Sequence, residues 1–252
     1  MIKPPDYDLA EKQARLENAE ILRANLTAPD INLKIKNWAK NYSLEPEFVR
    51  YKLLVDDTFA LNFVKDPSKQ SIHQKVAAQH IKTQIPLVEE FSTPPAGGAS
   101  ALYALRGLVV PGATLHAATS DHGKSIDFQW SYSREGKVLQ VYATHKHTKE
   151  EGGSQDNQFA DVKRFLREAM ACRDPNKIFF AICDGDYYLL PFDGRKSRLE
   201  TLKEDFPGKR NCSCSIAELP AVWGATVSQW LAHHSLTATE KEQTAFQLIS
   251  GA

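Results

Sequence analysis

The sequence predicts an α/β or α+β fold with a central mixed β-sheet flanked by helices, plus a helical N-terminal part. Apolar residues recur at helical spacing between residues 9 and 80, whereas from residue 124 onward they recur at every second position. One later segment is apolar throughout, as in a strand at the centre of a sheet. We therefore expect a helical region over residues 1–95 packed on a sheet domain over residues 96–252, or one continuous domain.

Three helices are predicted before the sheet. The first carries apolar residues along one side, at Leu9, Leu16, Ala19, Leu22 and Leu26. Pro46 suits the first turn of a second helix, because its missing N–H would have no partner there. The apolar face expected for this second helix consists of Phe48, Tyr51, Val55 and Phe59. A third helix is expected to begin near Ser71.

Two strands joined by a tight turn are predicted in the middle of the chain. They follow a Pro- and Gly-rich turn over residues 93–100 and an apolar, partly strand-like stretch over residues 101–110. The first strand is expected to have one buried face, formed by Ile126, Phe128, Trp130 and Tyr132. Glu135 and Gly136 make the turn into a second strand over residues 137–146.

The rest of the chain predicts a helix, two strands and a final helix. The helix over residues 154–171 is amphipathic, and the run over residues 178–183 is apolar throughout, as in a buried strand. A turn at residues 184–186 leads into a further strand over residues 187–192. Ser215 and Glu218 have the spacing of a capping box before the C-terminal helix.

Composition limits the classes of function. The chain of 252 residues has 31 basic and 31 acidic residues, which argues against a protein that coats nucleic acid without specificity. A basic cleft on a neutral protein remains compatible with DNA. The N-terminus lacks the apolar core of a secretory signal, and we expect a cytoplasmic protein without membrane spans. Four cysteines at irregular spacing predict reduced thiols rather than disulfides or a zinc site.

Asp127 and Lys146 are the candidates for chemistry. Asp127 lies on the strand face opposite the apolar residues, and Lys146 ends the neighbouring strand. The turn at residues 135–136 allows both side chains to meet at one end of the hairpin. Hydrolysis of a phosphodiester needs a bound metal, an activated water and a cation near the phosphorus, and these residue types supply such a site. Singly, each of the two is better explained as an ordinary strand-end charge.

The pattern resembles the PD-(D/E)XK nuclease motif. The segment Gly-Gly-Ser-Gln-Asp-Asn-Gln at residues 152–158 is similar to the GG-(A/S)-QDNQ run that follows this motif in type II restriction endonucleases. The resemblance extends over roughly residues 124–218. It implies Mg²⁺-dependent, sequence-specific hydrolysis of double-stranded DNA by a homodimer. It also implies that Asp127 and the backbone carbonyl of His145 bind Mg²⁺, and that Lys146 orients the attacking water.

Thr144 departs from this motif, because the family has Glu or Asp at its position. Its hydroxyl is a poor Mg²⁺ ligand. The threonine is either tolerated, with an acid supplied by Asp121, Glu150 or Glu151, or it removes activity. Very-short-patch repair nucleases are similar in having a threonine there. Two alternatives to the nuclease therefore stay open: a DNA-binding protein of the same fold that does not cut, and an unrelated protein without affinity for DNA.

The segment after the second strand supplies the candidate DNA contacts. They are Lys149, Gln155, Asp156, Asn157 and Gln158. Asn and Gln side chains form paired hydrogen bonds with adenine in the major groove, and a helix start binds phosphate through backbone N–H groups. Helix capping by Ser154 or Asp156 is the structural alternative.

Overall fold

The structure is a computed structural model that describes residues 2–64, 66–67, 71–115, 124–149, 153–191, 194, 196–208 and 210–234. The chain divides into two compact units. The first is Asp6–Val76, and the second is Ala77–Ala252 together with Met1–Pro5. The division falls earlier than the expected boundary at residues 95/96, and Glu89–Ser92, on the N-terminal side of that boundary, pairs with the sheet as its edge strand.

The first unit is helical, as predicted. Its helices are α1 (Tyr7–Ala24), α2 (Pro29–Asn41), α3 (Pro46–Val55), α4 (Asp57–Phe63) and the start of α5 (Ile72–Gln84). Their shared core is formed by Ala19, Leu22, Leu26, Ile35, Ala39, Val49, Leu53, Ala60 and Phe63. Asp6 and Asp56 cap α1 and α4 through their side chains, whereas prolines begin α2 and α3.

The apolar face predicted for α3 is wrong. Phe48, Tyr51 and Val55 are 45%, 59% and 59% exposed, whereas Val49 and Leu53 are fully buried. Both sides of this helix carry apolar residues, so its sequence does not identify the inner side. The expected helix through Phe59 is also interrupted, because Asp56 has an extended backbone and caps α4.

The second unit contains a mixed five-stranded sheet. The strands of this unit are β1 (Glu89–Ser92), β2 (Leu102–Leu105), β3 (Leu108–Pro111), β4 (Phe128–Arg134), β5 (Lys137–His147), β6 (Lys177–Asp184) and β7 (Asn211–Cys214). The five-stranded sheet has the order β1-β4-β5-β6-β7, and β2 and β3 form a separate hairpin. The pairs β1·β4 and β4·β5 are antiparallel, whereas β5·β6 and β6·β7 are parallel. The predicted central mixed sheet is therefore confirmed.

Helices cover both faces of this sheet. On one face, α6 (Gly153–Met170) packs Val162, Phe165 and Leu166 against alternate residues of β6. On the other face, Trp223 of α9 (Leu219–His233) contacts Trp130 and Phe180 edge to face. The apolar run of β6 is buried throughout, as predicted. Among the described helices, none is both long and apolar enough to cross a membrane.

The apolar face of β4 is buried, as predicted, and the opposite face is partly covered, since Ser131 is buried, Gln129 is half-buried and Ser133 is exposed. Phe128, Trp130 and Tyr132 are buried, but Ser131 is also only 1% exposed. Its hydroxyl donates to Glu90 Oε2 at 3.1 Å, which satisfies it within the sheet. The turn into β5 is confirmed: Glu135 and Gly136 have φ of 50° and 73°, as a tight two-residue hairpin turn requires.

The predicted strand over residues 187–192 is wrong. After β6 the chain reverses at Gly185, which has φ +86°, and Asp186–Leu189 forms the short helix α7. Tyr187 and Tyr188 resemble strand residues because they are aromatic, yet both side chains are buried from a helical turn. Helix α8 (Arg198–Asp205) and strand β7 follow, neither of which was predicted.

The C-terminal helix is confirmed. Ser215 and Glu218 make the reciprocal contacts of a capping box, with Glu218 N–H donating to Ser215 Oγ at 3.2 Å and Ser215 N–H to Glu218 Oε2 at 2.9 Å. The helix itself begins at Leu219.

Candidate active site

Asp127 lies immediately before β4, opposite the C-terminal part of β5. Its backbone N–H donates to the carbonyl of Ala143 at 2.8 Å, which continues the β4·β5 pairing by one residue. The residue is 2% exposed. Its Oδ2 accepts hydrogen bonds from Thr144 Oγ1 at 3.1 Å and from the His145 backbone N–H at 2.8 Å. Asp127 and Thr144 are therefore brought together.

Lys124 is a residue of this site that was not predicted from the sequence. Its Nζ lies 2.7 Å from Asp127 Oδ1 and 2.6 Å from Oδ2, so one ammonium bridges both carboxylate oxygens. The side chains are only 15% and 3% exposed. The sequence signal is a basic residue three positions before the aspartate, which is too common to identify such a pair.

Lys146 is brought close to the same carboxylate. Burial lowers the pKa of Lys146, and the positive charge of Lys124 lowers it further, whereas Asp127 and Asp161 act in the opposite direction. Asp161 belongs to α6, so this helix contributes a second carboxylate near the lysine. Asp161 was not among the residues predicted from the sequence. Thr144 and Lys146 are two residues apart on β5 and share one strand face, as the motif requires.

His145 lies between them, with its side chain on the opposite face of β5. Its ring Nε2 is 3.4 Å from Asp184 Oδ2, and both side chains are buried. Asp184 Oδ1 also accepts the N–H of Ile216 at 2.9 Å. Burial lowers the pKa of His80, and the negative charge of Asp184 opposes this shift in part. The His145 ring thus contacts Asp184, whereas its backbone contacts Asp127.

The start of α6 carries the predicted DNA contacts. Asp156 accepts a hydrogen bond from the hydroxyl of Tyr187 at 2.8 Å, which ties α6 to α7. Burial and this bond raise the pKa of Tyr187 to about 12. The Arg198 guanidinium stacks 3.8 Å above the same ring. Asp156, which was predicted to contact DNA, therefore has a structural role in joining α6 to α7.

The remaining predicted contacts differ in their exposure. Asn157 and Lys149 are exposed, whereas Gln155 and Gln158 are half-buried. The acids that were expected to replace the missing carboxylate at position 144, Asp121, Glu150 and Glu151, lie outside the described residues. Within the part of the chain that the structure describes, no group of three or more His, Cys, Asp or Glu side chains is arranged to hold a metal ion.

The chain matches no protein-family model, and no curated protein or solved structure is significantly similar to it. The assignment of function therefore depends on the residues and their geometry.

Proposed function

We propose that this protein is a type II restriction endonuclease of the PD-(D/E)XK kind, which hydrolyses double-stranded DNA at a specific sequence. The observation that carries this proposal is the meeting of Asp127, Thr144 and Lys146 at one end of the β4–β5 hairpin. The antiparallel hairpin, the helix α6 after it and the parallel strand β6 are the architecture expected around that motif.

Lys146 is the residue that acts on the phosphate. Burial lowers its pKa and the charges of Asp127 and Asp161 oppose that shift, so the ammonium lies in the electrostatic field of both carboxylates. From there its ammonium stabilises the charge that develops on the phosphate and orients the attacking water. Its lowered pKa makes the proton on Nζ easier to give up than that of a lysine in water.

Asp127 is the residue that would hold Mg²⁺, together with the backbone carbonyl of His145. The carboxylate fits this role, because it already holds a cation, the Lys124 ammonium, against both of its oxygens. When bound, Mg²⁺ supplies Lewis-acid charge at the phosphate. Hydrogen bonds from Thr144 and His145 fix the carboxylate in place.

Sequence recognition is assigned to the start of α6 and the end of β5. Asn157 and Lys149 are exposed there, and the Asp156–Tyr187 hydrogen bond fixes the helix that carries Asn157. Asn reads adenine edges, and Lys binds phosphates. A homodimer is proposed by analogy, because two copies would cut the two strands of a palindrome.

One observation favours a second candidate, a DNA-binding protein of this fold that does not cut. Thr144 donates its hydroxyl to Asp127, whereas a carboxylate at this position would offer a further metal ligand. The described part of β5 therefore brings no acid to the site.

Two measurements separate the candidates. We expect a gel shift with duplex DNA in Ca²⁺, and cleavage of the same DNA when Mg²⁺ or Mn²⁺ replaces Ca²⁺. Thr144→Glu is expected to raise cleavage, because it restores an acid beside Asp127. Binding without cleavage by both proteins would select the non-cutting candidate, and no gel shift by either would contradict both.

A further inference from the structure

Lys124 occupies the place on Asp127 that a metal ion would need. Its Nζ contacts both oxygens of the carboxylate, at 2.7 and 2.6 Å. Mg²⁺ binds carboxylate oxygens at about 2.1 Å and is a compact charge like an ammonium. The two cations would therefore approach the same oxygens from the same side, and their repulsion in a buried site is strong.

We propose that Lys124 is an internal competitor for the divalent cation, which binds at Asp127 only by displacing the ammonium. The proposal relies on the proposed function only in taking Asp127 as the carboxylate that receives the cation. Lys124 then sets the concentration of metal at which the site fills.

The Lys124–Asp127 ion pair is strong enough to oppose metal binding because both side chains are largely buried. The side chains of Lys124 and Asp127 are 15% and 3% exposed, so water screens their attraction poorly. A metal that enters must break this ion pair before it gains its own contacts. Exposed ion pairs would offer little resistance of this kind.

Two further contacts hold the Asp127 carboxylate in place while the cation beside it changes. Oδ2 also receives the hydroxyl of Thr144 and the N–H of His145, which hold it in the β4–β5 hairpin. Both donors belong to β5 and are uncharged, so neither repels an entering cation as an ammonium does. Among the described contacts of Asp127, Lys124 is a charged partner that can leave, because it precedes β4 and contacts the carboxylate through a long side chain.

The test is the affinity of the full chain for Mn²⁺ without DNA, measured by electron paramagnetic resonance of the free ion. Lys124→Met removes the charge and keeps the length of the side chain, and we expect it to bind Mn²⁺ about tenfold more tightly or better than the wild type. Lys124→Arg keeps the positive charge, so we expect it to bind Mn²⁺ as weakly as the wild type does. Lys137→Met is the matched control, since it removes one lysine charge from the opposite end of β5.

Adding Asp127→Asn to Lys124→Met should abolish the gain, because the gain comes from that carboxylate. Circular dichroism identifies folded variants, and Lys124→Gln replaces Lys124→Met if the latter does not fold. Equal Mn²⁺ affinities of Lys124→Met and the wild type would overturn the proposal. A folded Lys124→Met variant that binds no Mn²⁺ would also overturn it. A gain in Mn²⁺ affinity without any DNA cleavage would support this inference and contradict the proposed nuclease alone.

Discussion

Lys146 is held in surroundings that disfavour its charge. Burial is the main cause of its lowered pKa, and the neighbouring Lys124 adds to the effect. A lysine with a lowered pKa in the folded state destabilises the fold at every pH below its folded value, because the unfolded chain binds the proton more tightly. Functional residues often carry such a cost in stability.

Lys146→Met is therefore expected to raise the free energy of unfolding at pH 7 by about 0.5–2 kcal/mol. The difference should shrink as the pH rises through the lowered pKa and should vanish well above 10.5, the ordinary pKa of lysine, where both states have lost the charge. Urea unfolding followed by tryptophan fluorescence measures both effects. A variant less stable than the wild type would contradict this account of the site.

Asp184 is a buried carboxylate that joins separate segments behind the site. It accepts the N–H of Ile216 at 2.9 Å and lies 3.4 Å from the ring of His145. Its own carbonyl accepts the N–H of Thr148 at 3.0 Å, so the end of β5 and the start of the C-terminal segment meet at this residue.

Asp184→Ala is expected to lower the free energy of unfolding by about 3 kcal/mol, since it leaves the buried N–H of Ile216 without a partner. Asp184→Asn is the control, because its amide oxygen can still accept that N–H, and it should lose much less. Thermal and urea unfolding give the values. A loss below about 0.5 kcal/mol for the alanine variant would show that the contacts do not support the fold.

The elements around the site could largely be predicted from the sequence, because their periodicity is local. Alternation predicts β4, a two-residue turn predicts β5, and the amphipathic and apolar runs predict α6 and β6. The α7 turn could not be predicted, since the aromatic pair Tyr187–Tyr188 has strand preference and its helical turn depends on Gly185. Strand β7 is short and polar, and only pairing with β6 makes it a strand.

Gly185 makes the reversal between β6 and α7. A Cβ at this position would lie 2.2 Å from the carbonyl oxygen of Thr148, and φ is +86°. Gly136 has a similar φ of +73°, but a Cβ there meets nothing within 4 Å. A substitution at Gly136 therefore tests backbone strain alone, whereas one at Gly185 tests backbone strain together with a steric clash.

Gly136→Ala is expected to cost about 1 kcal/mol from the left-handed backbone alone. Gly185→Ala should cost clearly more, about 3 kcal/mol or above, because Thr148 must also move. Chemical denaturation of both variants measures the difference. Equal losses in the free energy of unfolding would mean that Thr148 moves away from the new Cβ at no cost, and would contradict this prediction.

The whole molecule brings together a site that its sequence reveals only in part. Asp127, Thr144 and Lys146 could be singled out because one hairpin carries them. Lys124 and Asp161 could not, since their part in the site depends on the ion pair before β4 and on the packing of α6 against the sheet. The formal net charge of zero gives no indication of a site that contains two lysines.

The central claim is that this site hydrolyses DNA at a specific sequence. The most direct measurement is incubation of the full chain with a phage genome in Mg²⁺ and in Mn²⁺, beside Asp127→Ala and Lys146→Ala. Lys137→Ala is the control at the far end of β5. We predict discrete fragments from the wild type and the control, and intact DNA from the two site variants. Intact DNA from every protein, or fragments that persist in both site variants, would contradict the claim.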